Sequence, residues 1–191
     1  ADYHPEIDTG VHVMMVLDMS AALHAPLTVR WACLGHDLGK GNTPADVLPR
    51  HIGHEERSVK LVRAVGQRLR VPSDCLALAE AVAREHGNVH RSTEFGAAAL
   101  LRLLERCDAL RRPERFAELL LACECDARGR LGFEAAAYPQ RTRLAAALAV
   151  VQSVDTARVA AEAAAQGKKG PAVGAAIAAA RLQALTADLG R

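Results

Sequence analysis

The sequence predicts an all-α protein, and three observations carry that prediction. Half of its residues are hydrophobic but only six are aromatic (one Trp, two Tyr, three Phe), so Ala and Leu supply the bulk of the core and favour thin layers between helices. Apolar residues recur at helical spacing, and no segment alternates with period two. Pro, Gly and short polar residues fall where helices of ordinary length would start and stop. A chain of 191 residues suffices for one large domain, or a domain with an appendage, and for a substantial core.

The elements follow in order. Asp8 or Thr9 caps a first helix to about Leu23, with His12, Met15, Val16, Met19 and Leu23 on one stripe. Pro26 separates it from a second helix, about Thr28 to Leu38, which ends in His36-Asp37. Gly39 and Gly41 stop that helix, where a residue free to take positive φ is cheapest. A polar loop to Pro49 leads through His51 to a third helix, Glu55 to about Leu69. Ser73 caps a fourth, broken after His86 by Gly87-Asn88, and Ser92 or Thr93 caps a fifth with the stripe Leu100, Leu101, Leu103, Leu104, Cys107 and Leu110. Pro113 opens a sixth helix, which Gly129 ends. Beyond Gly132, helices are predicted over Pro139–Val151, Thr156–Ala165 and Pro171 to about Leu189, the last after a basic hinge at Lys168 and Lys169.

Composition excludes several classes. There is no signal-peptide pattern, and no unbroken apolar run reaches the ~18 residues of a membrane span, so no membrane partner is expected. The opening Ala-Asp-Tyr-His-Pro-Glu, without Met, reads as a cut from a longer polypeptide. Five cysteines, scattered along apolar helices without CxxC spacing, suit buried thiols in a reducing cytoplasm. A net charge of +2 excludes a polycation, although Arg suits bidentate phosphate contact and nearly all the basic residues are Arg. A GC-rich coding sequence produces the same bias.

The chemistry centres on Gly35-His-Asp-Leu-Gly-Lys-Gly41. Neighbouring helical residues point about 100° apart, so His36 and Asp37 can grip a metal from two sides if ligands arrive from other helices. His12, His36, Asp37, His54, His86, His90 and Asp108 are the candidates, spread over at least four helices and their loops. Asp108 extends the apolar stripe of Leu101 and Leu104, and a carboxylate buried there needs a metal or an Arg. Each residue also has a plainer reading. His12 can be a hydrogen-bonded core histidine, His86 can face a helix C-terminus, and His90 can face solvent. Asp108 can pair with Arg111 or Arg112, Glu105 competes with it, and His51 can replace His54. His4, His24 and His51 read as surface residues.

The order His12, His36-Asp37, later histidines and Asp108 resembles the HD superfamily of metal-dependent phosphohydrolases. More narrowly, Pro5-Glu-Ile-Asp-Thr-Gly-Val-His12, His36-Asp-Leu-Gly-Lys-Gly-Asn-Thr-Pro44, His51-Ile-Gly-His54 and Asp108-Ala-Leu-Arg-Arg-Pro-Glu-Arg115 look like the HD domain of bacterial CCA-adding enzymes. So do Cys125-Asp-Ala-Arg-Gly-Arg130, Tyr138-Pro-Gln140 and Lys169-Gly-Pro171, so the resemblance covers nearly the whole chain. It implies an HD helical bundle over 1–112 and a helical Ala-rich extension over 113–191, which contacts tRNA or packs on the bundle.

The resemblance further implies 2′,3′-cyclic phosphodiesterase, 2′-nucleotidase and phosphatase activities within a tRNA nucleotidyltransferase that builds the 3′-terminal CCA. No Gly-Gly-x-x-Arg-Asp stretch or suitable Asp-x-Asp pair is present, so the chain by itself is not expected to add nucleotides, and the nucleotidyltransferase domain becomes an implied partner. Some relatives carry Asp where this chain has Gly87, and some carry Asp at Glu105, which leaves the last ligand open between Glu105 and Asp108. On this reading His12, His36, Asp37 and Asp108 hold one divalent cation, while His54 and His86, with His90 a further candidate, hold or approach a second. Imidazole ligands favour Ni, Mn or Co over Mg, although Mg remains an option. Asp37 orients the attacking water or acts as base, and Lys40 contacts phosphate. His90, Arg111, Arg112, Arg128 and Arg130 are candidate substrate contacts, as are Lys168 and Lys169 at a helix start. The competing readings are a tRNA-binding or dimerisation module with a non-catalytic metal site, and an HD hydrolase of signalling nucleotides.

Overall fold

A computed structural model of the chain describes residues 8–190. Among those residues there are nine α-helices, two 3-10 turns and no strand. His4 and Pro5–Ile7 lie outside the described residues.

The bundle is built around α2 (Leu27–Gly35), a short helix enclosed by α1 (Thr9–Ala22), α4 (Ser73–His90) and α6 (Pro113–Arg128). Val29, Ala32 and Cys33 of α2 meet Val16 and Met19 of α1, Leu78 and Val82 of α4, and Leu119, Leu120 and Cys123 of α6 in one continuous core. Small residues on α2 permit the close approach; a Cβ at Gly35 would come within 2.8 Å of Val62 Cγ2. Helix α3 (His54–Leu69) lies on α4 and on the 3-10 turn Leu38–Lys40. Because α6 packs on α1, α2 and α4, a division before Pro113 would cut through the bundle. Helices α7 (Pro139–Gln152), α8 (Thr156–Ala165) and α9 (Pro171–Leu189) form the extension, seated through Leu144, Leu148, Val151 and Leu185. Helix α9 packs on α5 (Ala97–Arg106), α7 and α8. By length and composition alone α9 could cross a membrane; Arg181 and Asp188 are why no unbroken apolar run was expected there.

Several helix ends differ from expectation, each for a physical reason. Helix α1 is capped by Asp8, whose Oδ1 accepts from the Gly10 amide at 2.7 Å. Helix α2 stops at Gly35, so His36 and Asp37 fall just beyond it. Gly39 has no positive φ among the described glycines. Its role is close approach: a Cβ there would lie 2.2 Å from the His54 carbonyl oxygen and 2.5 Å from the Ser58 nitrogen. The Gly39 amide donates to buried Ser58 Oγ at 2.8 Å, and Arg57 Nε donates to its carbonyl at 3.0 Å, so the turn is pinned to α3. Gly53, with φ of 74°, supplies the left-handed turn that starts α3 at His54. Helix α4 runs through Gly87 to His90; one Gly costs about 1 kcal/mol, and burial of Glu85, His86 and Val89 outweighs it. Residues Arg91–Glu94 form a 3-10 turn, so α5 begins only at Ala97, with Gly96 rather than Ser92 or Thr93 at its cap.

Gly39→Ala is expected to lower stability by more than about 2 kcal/mol in urea unfolding of the full chain, because the added carbon meets backbone that cannot rotate away. Gly41→Ala, whose Cβ would sit 3.5 Å from the nearest atom, should stay within about 0.5 kcal/mol.

Candidate metal centre

Five parts of the bundle bring seven side chains into one largely buried cluster. Helix α1 supplies His12, the residues just after α2 supply His36 and Asp37, and the first turn of α3 supplies His54. Helix α4 supplies His86 and His90, and α6 supplies Asp126. The rings pack edge to face, with centroids 5.6 Å apart for His12–His36, 5.4 Å for His36–His86, 5.3 Å for His54–His86 and 6.0 Å for His86–His90.

Main-chain carbonyls fix which ring nitrogens face inward. His36 Nδ1–H donates to the Cys33 carbonyl at 2.7 Å, His54 Nδ1–H to the His51 carbonyl at 3.0 Å, and His86 Nδ1–H to the Val82 carbonyl at 3.1 Å. A carbonyl only accepts, so each neutral ring turns its Nε2 lone pair into the site. The Nε2 atoms of His54 and His86 lie 3.3 Å apart, a separation two lone pairs tolerate only with a proton or cation between them. His36 Nε2 and Asp37 Oδ1 are buried without a hydrogen bond. Imidazoles that donate outward to carbonyls and present the other nitrogen inward are the arrangement that metal ligands adopt.

Two triads result. His12, His36 and Asp126 form one; Asp37, His54 and His86 form the other; within each, the ligand atoms lie within 4.8 Å of one another. Asp126 Oδ1 lies 2.9 Å from His12 Nε2 and 3.4 Å from His36 Nε2. Asp37 faces both groups, with Oδ2 3.3 Å from His36 Nε2, and Oδ1 3.3 Å and 3.6 Å from the Nε2 atoms of His54 and His86. Lys40 Nζ sits 2.6 Å from Asp37 Oδ2. The donor set, imidazole nitrogens with a carboxylate in each triad, fits a divalent transition ion.

The electrostatics are those of carboxylates kept ionised indoors. Burial opposes the charge on Asp37, but His36 above all, with His86 and Lys40, holds its carboxyl well below the usual range. Burial likewise opposes the charge on Asp126, and His36, His90 and His12 overcome it. Burial disfavours protonated His36, yet Asp37 and Asp126 raise its pKa well above the ordinary value. His86 behaves oppositely: burial lowers it to about 4 despite Asp37.

The structure does not bring Asp108 to this cluster. Asp108 follows α5 in a left-handed turn (φ 54°), and its carboxylate is taken by Arg111 at 2.6 Å, with Arg112 and Arg115 nearby. Helix α5, whose apolar stripe Asp108 would extend, ends at Arg106, and the chain turns away after Cys107. Glu105 is exposed. Asp126 holds the inward position instead, and it lies on the buried face of α6 with Leu119 and Cys123, seven and three residues earlier. That spacing was the signal available for it. His90 does not join His54 and His86; its Nε2 is 2.7 Å from Asp126 Oδ2, and Tyr138, given no role by the sequence, bonds its Nδ1. His51 stays outside, donating to Thr43 Oγ1 while its carbonyl orients His54. Of the basic candidates, Arg130 Nη2 comes within 3.6 Å of Asp126, Arg111 and Arg112 lie with Asp108, and Arg128 is engaged by Glu124 and the Glu134 carbonyl. Lys168 and Lys169 are exposed ahead of α9.

Residues 9–130 match the HD domain family. The chain is 69% identical over 185 residues to a multifunctional CCA protein of Polaromonas naphthalenivorans, covering 97% of this chain and 44% of that protein. Similar proteins of the same name from Acidovorax sp. (70% over 184 residues; 96% of this chain, 43% of that one) and Paracidovorax citrulli (72% over 174 residues; 91% and 42%) also match. The chain therefore spans less than half the length of these curated relatives. No solved structure matches it.

The depressed His86 yields a prediction for the metal-free chain. A His with a folded pKa near 4 and an unfolded value near 6.5 binds its proton more readily when unfolded, so stability should fall as pH drops from about 6.5 to 4, by at most about 3 kcal/mol. His36, raised, contributes fully below its unfolded pKa and loses that contribution as pH rises through its folded value. Urea titrations in chelator across this range should show the slope, and His86→Asn should flatten it.

Proposed function

The chain belongs to the HD domain family, and on that premise we propose that the buried cluster is a metal-dependent phosphohydrolase centre that cleaves 2′,3′-cyclic phosphates and 2′-phosphomonoesters at nucleotide or RNA ends. The single observation that carries this reading is the pair of buried carboxylates, Asp37 and Asp126, faced by Nε2 atoms whose orientation main-chain carbonyls fix. His12, His36, Asp37 and Asp126 would hold one ion; Asp37, His54 and His86 would hold a second. Nickel, manganese or cobalt suits these nitrogen-rich sets better than magnesium.

A divalent ion bound there supplies Lewis acidity, which brings the pKa of a water toward neutrality and offsets charge gathering on the phosphate. The protein's own groups do the positioning. Asp37 accepts a hydrogen bond from the attacking water and so aims it, while Lys40, 2.6 Å from Asp37, contacts a phosphate oxygen. The relatives are named multifunctional CCA proteins, so the tRNA 3′ end is the substrate class proposed, with the nucleotidyltransferase domain as partner and the cytoplasm, where the buried cysteines stay reduced, as location. Lys168 and Lys169, exposed ahead of α9, would contact the RNA backbone on this reading.

The test is hydrolysis of 2′,3′-cyclic AMP across a panel of Ni2+, Mn2+, Co2+ and Mg2+, with metal analysis of the purified chain. Asp37→Asn and Asp126→Asn should each lower metal-supported turnover by about 100-fold or more, while Asp108→Asn stays within about twofold. Wild-type turnover in either of the first two variants overturns the assignment.

A further inference from the structure

His90 closes α4 and Tyr138 immediately precedes α7, outside the residues that match the family. Their side chains meet at the edge of the cluster, with ring centroids 5.8 Å apart and Tyr138 Oη 2.9 Å from His90 Nδ1. On its far side the same imidazole reaches Asp126, Nε2 to Oδ2 at 2.7 Å. An ionised carboxylate only accepts, so His90 Nε2 carries the hydrogen. A neutral ring then has its lone pair on Nδ1, and the Tyr138 hydroxyl is the donor to it. The Gln140 amide donates to the His90 carbonyl at 2.9 Å, and Arg143 donates to the carbonyls of Ser92 and Phe95, which fixes the start of α7 against this end of α4.

Resting on the metal reading above, we propose that Tyr138 and His90 form a positioning relay: the hydroxyl selects the His90 tautomer, and His90 holds Asp126 Oδ2 so that Oδ1 faces His12 and His36. The extension thereby takes part in the centre. The structural consequence is specific. Without the hydroxyl, the ring is free to move its hydrogen to Nδ1, which would turn a lone pair toward the carboxylate and release its rotation. Outer partners of this kind change metal affinity about 10- to 100-fold when removed.

Two readouts on the full chain test the relay. Nitrogen-15 correlation spectra of the metal-free protein should show His90 as the Nε2–H tautomer, with Tyr138→Phe producing a mixture. Calorimetric titration with Mn2+ should show affinity weakened about tenfold by Tyr138→Phe and by His90→Ala. His90→Gln, whose amide N–H reaches the Nε2 position, should stay within about threefold of wild type, and Tyr138→Phe should cost nothing further in that background. Thermal melting separates these effects from loss of fold. An unchanged tautomer and affinity in Tyr138→Phe overturns the relay, as does an equal cost in the His90 and His90→Gln backgrounds. If the wild-type chain takes up no Mn2+, the metal reading falls, and the relay is then decided by the tautomer measurement alone.

Discussion

Two buried carboxylates that share the His36 ring between them govern this structure. Asp37 and Asp126 are 2% and 4% exposed, and an uncompensated charge in such a place costs several kcal/mol. The protein answers with imidazoles drawn from separate helices, a lysine at the rim, and donor atoms grouped within 4.8 Å of one another in each triad. The bundle is therefore more than a container. Helices α1, α3, α4 and α6 must each arrive in the correct rotation about α2, because each delivers inward-facing groups, α4 two of them.

The backbone sets the chemistry as much as the side chains do. Carbonyls of Cys33, His51 and Val82 lie within hydrogen-bond reach of ring nitrogens three or four residues later, an i to i+3 or i+4 relation that helices and tight turns provide by default. Those bonds settle the tautomers of His36, His54 and His86 through partners close in the chain. Packing then brings the settled rings together. Gly39 is where the two levels meet, since only a residue without Cβ lets the turn carrying Asp37 lie on the helix carrying His54.

Most of the helices were legible, because apolar spacing and proline starts are local signals. Pro113, Pro139 and Pro171 each open a helix where expected. Helix ends were less so: Gly87 does not break α4, because the residues around it are buried on both sides. The histidines and Asp37 were legible as candidates from residue type and their place on apolar stripes. Asp126 satisfied the same criterion as Asp108, at a better position within a longer helix. The difference between them lies in where the chain goes next. Asp108 sits past the end of α5 in a left-handed turn beside three arginines, whereas Asp126 is inside α6 facing α1.

By itself the sequence determined an all-α chain, the positions of most helices and the residue types able to hold a metal, since these depend on local spacing and on the chemistry of each side chain. Tertiary structure alone decided which carboxylate completes the cluster, that His90 serves Asp126 and not His54, and that Tyr138 reaches across from the extension. Those choices depend on the relative rotation and close approach of helices far apart in the chain, which no local pattern encodes.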